Sequence, residues 1–367
     1  MSYFPPDLPE YNHLRHLQLF VWEPRKPLTE KDLSYHVAHI NSRGKPDAWF
    51  FDSFLALSPV APSGGSFVCD VNRGTTRCGD GDFFAIPVPN PANADDWREG
   101  LDSMFAHEGL LPALDRTIAG LKPNLGAPPH TRNVVLTIPY PQPTQTMFGA
   151  PRRGKPPMNF SVTGQNLAQA TEQRLEACKW FVGEALDRWR KARLGNLNLL
   201  GFYWIYESLH YAWHVDDHWL LKELYRHLRA KRTRLFWIPF YSSYNVRVLN
   251  DYRGFYFDCA FLQPNHMFYH HHRDVKTAAR EAADCGAGVE MEYYLNMDPR
   301  WSIGREKHRR FRNYLNGGID YGYMTQSACA WFIGANDLQK IAIAPDARER
   351  AFYHDIFHFV KGDYEAK

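Results

Sequence analysis

Eight short runs rich in Val, Ile, Leu, Phe, Tyr and Trp recur along the chain, each flanked by Gly, Pro or Asn. They fall at 16–22, 49–57, 133–140, 198–207, 235–241, 255–262, 288–295 and 321–332. Runs this short and this continuously apolar suit strands buried on both faces, as in a parallel sheet. Helix-like stretches lie between them, at 95–121, 167–193, 217–230, 275–284 and 303–315, with 348–360 after the last run. In 167–193, Leu175, Cys178, Trp180, Phe181, Ala185, Leu186 and Trp189 broadly keep the helical period, and the charged residues fall elsewhere. Strands alternating with helices over 367 residues predict one α/β domain, a single (β/α)8 TIM barrel with extended βα loops.

The first two connections fit that plan least well. A short helix is expected at 30–41, and 58–95 reads as a loop insertion rich in Gly, Pro, Asn and Asp. Within it, the runs starting at Ser66 and Asp82 could pair as a small hairpin. A Pro-rich loop at 141–159 carries Arg152, Arg153 and Lys155.

Composition narrows the function classes. Net charge is +3, and the basic clusters at 231–234 and 305–310 fall on expected solvated helix faces, so no nucleic-acid partner is expected. No apolar run reaches the roughly 18 residues of a membrane span, and the first residues lack a basic segment followed by an apolar one. The chain as given is expected to be soluble and cytoplasmic, or secreted if a leader has been removed. Six Cys without a Cys-x-x-Cys pair argue against a zinc ribbon, although Cys69 and Cys78 could bridge across a loop. There is no Gly-x-Ser-x-Gly elbow, P-loop or dinucleotide fingerprint, and no cofactor is expected.

Three carboxylates stand out against this apolar background. Glu207 closes the fourth run, and Glu290 and Glu292 punctuate the seventh. A charge at the tip of a buried strand is costly unless it is paired or used. Side chains alternate along a strand, so Glu207 shares a face with Tyr203 and Ile205, while Trp204 and Tyr206 face the helices. Glu290 and Glu292 share a face with Gly288. All three are expected to point into the barrel, as are Gln18, Asp52, Thr137, Asp258 and Gln326.

Glycosidic bonds are hydrolysed by one protonated carboxyl and one ionised carboxylate. Carboxylates from the fourth and seventh strands of such a barrel can face each other across its opening, the geometry expected of a hydrolase acting on a poly- or oligosaccharide. The expected substrate-binding set is Gln18, Asp52, Tyr203, Tyr206, Trp213, Tyr241, Asp258, Asn265, Glu290, Tyr294 and Gln326. Two other readings stand beside this one: a barrel that binds carbohydrate without cleaving it, and a metal-dependent hydrolase. The second would use His210, His214 and His218, which fall four residues apart and would share a face if helical. His270, His271 and His272 read as a loop.

The fourth-run and seventh-run Glu resemble the acid/base and nucleophile positions of the superfamily of retaining (β/α)8 glycoside hydrolases. That resemblance implies Glu207 as general acid/base and Glu292 as nucleophile. The Asn that usually precedes the acid is replaced by Tyr206. Across most of its length the chain also resembles the family called domain of unknown function 4855. The segments that carry this are His13-Leu-Arg-His-Leu-Gln-Leu-Phe-Val-Trp, Phe51-Asp-Ser-Phe-Leu, Gly201-Phe-Tyr-Trp-Ile-Tyr-Glu and Phe257-Asp-Cys-Ala-Phe-Leu-Gln-Pro-Asn. This second resemblance implies a glycosidase-type barrel of bacterial kind.

Overall fold

The computed structural model describes residues 2–68, 90–152, 154–241, 243, 245–268, 274–296, 302–334 and 336–367. Eight parallel strands close into a barrel: β1 (His16–Val21), β2 (Ser53–Leu57), β3 (Arg132–Ile138), β4 (Leu197–Trp204), β5 (Arg234–Trp237), β6 (Cys259–Leu262), β7 (Gly288–Tyr293) and β8 (Cys329–Ile333). Each strand pairs with its sequence neighbour, and closure comes from β1, which pairs with β2 through Leu17 and Ser53 and with β8 through His16 and Cys329. The helices are α1 (Glu30–Val37), α2 (Ala94–Phe105), α3 (Leu110–Leu125), α4 (Leu167–Ala192), α5 (Asp217–Ala230), α6 (Val275–Cys285), α7 (Ser302–Asp320), α8 (Tyr323–Gln326), α9 (Leu338–Ala342) and α10 (Ala347–Lys361).

Several element ends differ from the sequence expectation. The run at 49–57 begins as the return strand of a two-stranded hairpin, Ala38–Ile40 with Pro46–Trp49, before β2 starts at Ser53. The helical stretch at 95–121 is two helices, α2 and α3, separated by residues 106–109. The run at 321–332 opens with α8, and β8 starts at Cys329. The hairpin expected across 66–86, the Cys69–Cys78 bridge and the 270–272 histidines lie wholly or largely outside the described residues.

The barrel interior is packed below its mouth. Phe236 lies opposite Tyr203, and Phe261 opposite Gly288, so both rings point inward. Gly201 and Gly288 make room for them. A Cβ at Gly201 would sit 2.8 Å from the Phe236 ring and 2.5 Å from the Arg234 carbonyl, and one at Gly288 would sit 2.4 Å from the Phe261 ring. Two glycines in the inward-facing sets thus allow aromatic filler beneath the carboxylates. The same alternation carries Glu207, Glu290 and Glu292 to the open carboxyl-terminal end, where barrels of this architecture build their sites.

Candidate active site

Glu207, Glu290 and Glu292 line one cavity of about 540 Å³ at the mouth, within the size range of small-ligand sites. In β7, Glu290 stands opposite Ala330 and Glu292 opposite Phe332. Leu19, Leu57, Pro59 and Val68 form an apolar wall. Next to it, Phe268, Tyr294 and Phe332 form an aromatic one, with Tyr294 and Phe332 nearly parallel at 6.5 Å between ring centres. All three rings are only partly buried, so their faces remain available to a flat ligand.

The three carboxyls differ in their donors. Glu292 Oε2 accepts the Asn265 backbone N–H at 2.8 Å and the Tyr314 hydroxyl, and its Oε1 is buried without a partner. Asn265 reaches that position in a left-handed backbone conformation, φ 56°, which Asn tolerates better than most residues. Tyr314 arrives from α7, inside the core. Glu207 Oε1 accepts one bond, from Gln263 Nε2 at 3.0 Å. Gln263 is fixed in turn by a second donation to Ile238 O at 2.9 Å and by backbone bonds to Pro239 and Tyr241. Glu290 accepts no hydrogen bond among the described residues, although it is 2% exposed.

Burial sets the protonation states. It pushes the Glu207 carboxyl up to about 7, with the Gln263 donor pulling the other way. Burial, followed by the neighbouring Glu292 and Glu207, holds Glu290 well above the usual carboxylate range. Glu292 is also raised by burial and by Glu207, but the Tyr314 and Asn265 donors oppose the rise. Three adjacent buried carboxyls cannot all ionise. Hydrogen bonds to the charged form favour ionisation of Glu292, with two donors, over Glu290, which has none and is the last to carry charge.

Behind the mouth, a buried ion pair anchors the chain that follows Glu207. Arg174 Nη2 meets Asp217 Oδ1 at 2.6 Å, and Asp217 Oδ2 accepts the His210 backbone N–H and the Tyr140 hydroxyl.

Of the residues picked from sequence, the structure brings Glu207, Glu290, Glu292, Tyr203, Asn265 and Tyr294 to the cavity. Others lie elsewhere. Gln18 pairs in register with Trp331 and bonds the Leu19 carbonyl on the helix-facing side, while Leu19 is the β1 residue that faces the cavity. Asp52 precedes β2 at the opposite end, where it accepts the Arg15 and His16 backbone N–H groups and the Ser53 hydroxyl. Asp258 precedes β6 at that same end, bonded to Leu235 N and Arg229. Gln326 is exposed on α8, before β8 begins. Thr137 bonds the Ala56 carbonyl beside a small cavity lined by Trp97 and Phe181.

Tyr206 packs on Tyr140 and bonds the His210 ring, on the face away from the cavity. Trp213 is 80% exposed on a short hairpin, Tyr211–Ala212 with Val215–Asp216. Tyr241 contributes its backbone N–H to Gln263 O. The same hairpin splits the spaced histidines: His214 lies in its turn and His218 enters α5, so the three share no helix face. Among the described residues, no group of three or more His, Cys, Asp or Glu could hold a metal ion. No helix among them is long and apolar enough to cross a membrane.

Sequence reading missed Tyr314 and the wall residues Phe240, Phe268 and Phe332, and it took Gln263 only as part of a turn. Glu207 and Gln263 lie 56 residues apart, and Glu292 and Tyr314 lie 22 apart, so neither contact has a local signature.

Fold and mouth together define a (β/α)8 barrel with carboxyls on β7 and just beyond β4. The chain belongs to the family described as domain of unknown function (DUF4855), whose profile matches residues 23–358. No curated protein matches it by sequence. Among solved structures it is similar to a GH18 chitinase from Pseudoalteromonas aurantia, at 8% identity over 93% of this chain and 99% of that one, with a TM-score of 0.39. It is also similar to the GH20 catalytic modules of the pneumococcal exo-β-D-N-acetylglucosaminidase StrH, at 9% identity over 97% of this chain and 85% of that one, with a TM-score of 0.39.

Proposed function

We propose that this protein is a glycoside hydrolase acting on a poly- or oligosaccharide by a retaining, two-carboxylate mechanism. The observation that carries the reading is the contrast between Glu207 and Glu292 in one cavity: one carboxyl with a single donor, the other with two donors on one oxygen and its second oxygen buried without a partner. Glu207, protonated near neutrality, donates to the leaving glycosidic oxygen. Glu292 Oε1 attacks the anomeric carbon while Oε2 stays held by Tyr314 and Asn265. Glu207, now ionised, then takes a proton from the water that cleaves the glycosyl ester. The aromatic wall supplies faces on which a pyranose ring can stack.

Among the described residues neither Glu207 nor Glu292 is locked to an Arg or Lys. In a barrel that only binds carbohydrate the same carboxyls would accept sugar hydroxyls without turnover, so bond cleavage separates the two readings. The test is reducing-end release from a panel of polysaccharides, followed by NMR of the first-formed anomer. Retained configuration supports the assignment. Inversion makes Glu292 a base acting on water, and release from no glycan overturns the reading.

A further inference from the structure

The mouth holds three carboxyls and, among its described lining residues, no Lys, Arg or His. Among the described residues no cation offsets their burial: the groups acting on them there are Gln263, Tyr314, the Asn265 backbone and one another. Two acids suffice for the proposed chemistry. The third, Glu290, is 2% exposed, lines the cavity and has no hydrogen-bond partner among the described residues, while Glu292 Oε1 beside it is buried and equally unpartnered. A carboxyl this little exposed and without a protein donor is uncommon in native proteins, and where its oxygens open onto a cavity, as those of Glu290 do, a ligand or water completes the hydrogen bonding. A cationic donor would both complete the hydrogen bonding and offset the clustered carboxyls. The described residues offer no group of three or more His, Cys, Asp or Glu that could hold a metal ion, and three aromatic rings lining the same mouth, Phe332 beside Glu292 among them, suit an organic ring.

Building on the glycosidase reading, we propose that the sugar bound at this mouth is an amino sugar with a free amine, its ammonium group seated against Glu290. An ammonium there provides charge-assisted hydrogen bonds in a low-dielectric site. It also lets a second carboxyl ionise beside Glu292, which neutral or N-acetylated sugars cannot do. The natural substrate class is then a polysaccharide containing de-N-acetylated hexosamine.

The experiment measures binding of D-glucosamine and D-galactosamine to the wild-type protein at mildly acidic pH, against their N-acetyl forms and the parent hexoses. None of these monosaccharides can be hydrolysed, so binding is read separately from turnover. The amines are expected to bind about tenfold tighter or more, and Glu290→Gln is expected to bring them down to the level of the neutral sugars with the melting curve retained. Equal or weaker binding of the amines, an amine preference that survives Glu290→Gln, or no binding of any hexosamine overturns the inference. Hydrolysis of neutral or N-acetylated polysaccharides without that preference removes the amino sugar and leaves the glycosidase; amine preference without hydrolysis of any glycan supports the amino-sugar site and removes the glycosidase.

Discussion

Gln263 donates its side-chain amide to Glu207 across the barrel mouth at 3.0 Å. Two residues on, the Asn265 backbone N–H holds Glu292 at 2.8 Å. One turn beyond β6 therefore orients both carboxyls of the proposed pair and distributes their donors unequally. Gln263→Leu removes the donor that favours ionised Glu207, so the Glu207 carboxyl rises further above 7 and the alkaline limb of kcat/KM moves to higher pH. A pH–rate profile in which that limb is unmoved would separate Gln263 from the acid.

Tyr314→Phe acts in the complementary direction. It leaves Glu292 Oε2 with the Asn265 donor alone, raising the carboxyl and moving the acidic limb upward. A charge-assisted hydrogen bond of about 1.5–3 kcal/mol corresponds to a loss of roughly 10- to 100-fold in kcat. Kinetics across pH check it, with thermal melting to show that the hydroxyl's loss does not unfold α7.

The carboxyl cluster makes stability fall with rising pH. Glu290 is raised far above its unfolded value near 4.5, so the folded state binds the extra proton between those two values. Below the unfolded value both states are protonated and there is no penalty; above the folded one the buried charge is fully opposed. The melting temperature is expected to rise as pH falls from weakly alkaline towards 5. Glu290→Gln should be more stable than wild type at the alkaline end and equal to it at the acidic end, as read by melting curves at several pH values. A wild type whose stability is flat over that range contradicts the buried-acid account.

Asp52 and Asp258 are expected to matter for stability alone. Asp52→Ala strands the Arg15 and His16 N–H groups and the Ser53 hydroxyl at a cost of about 2–4 kcal/mol, leaving kcat per folded molecule unchanged. Asp217→Ala, which leaves Arg174 buried without its partner, is expected to cost about 3–5 kcal/mol. Denaturant titration measures both.

These two aspartates also show where sequence reading stopped. The barrel was legible because its strands are buried on both faces and read as apolar runs; alternation within β7 put Glu290 and Glu292 on the cavity side, and the same alternation carried past the end of β4 at Trp204 put Glu207 there. Alternation gives a face only once the strand's limits are known. Asp52 and Asp258 each stand one residue before a strand, and a carboxylate beside an apolar run looks the same at either end. At the amino-terminal end it accepts backbone N–H groups; at the carboxyl-terminal end it faces the cavity. Gln326 went astray because α8 occupies residues that share the apolar character of β8. Gln18 failed differently, since β1 turns Leu19 to the interior and Gln18 to the helix layer.

The pairing of Glu207 with Glu292 is tested most directly by initial rates for the wild type, Glu207→Gln and Glu292→Gln on the glycan that the wild type cleaves fastest, with circular dichroism confirming that each variant is folded. The account predicts that each substitution lowers kcat by about 10³-fold or more. A folded variant at either position that keeps the wild-type rate would contradict it.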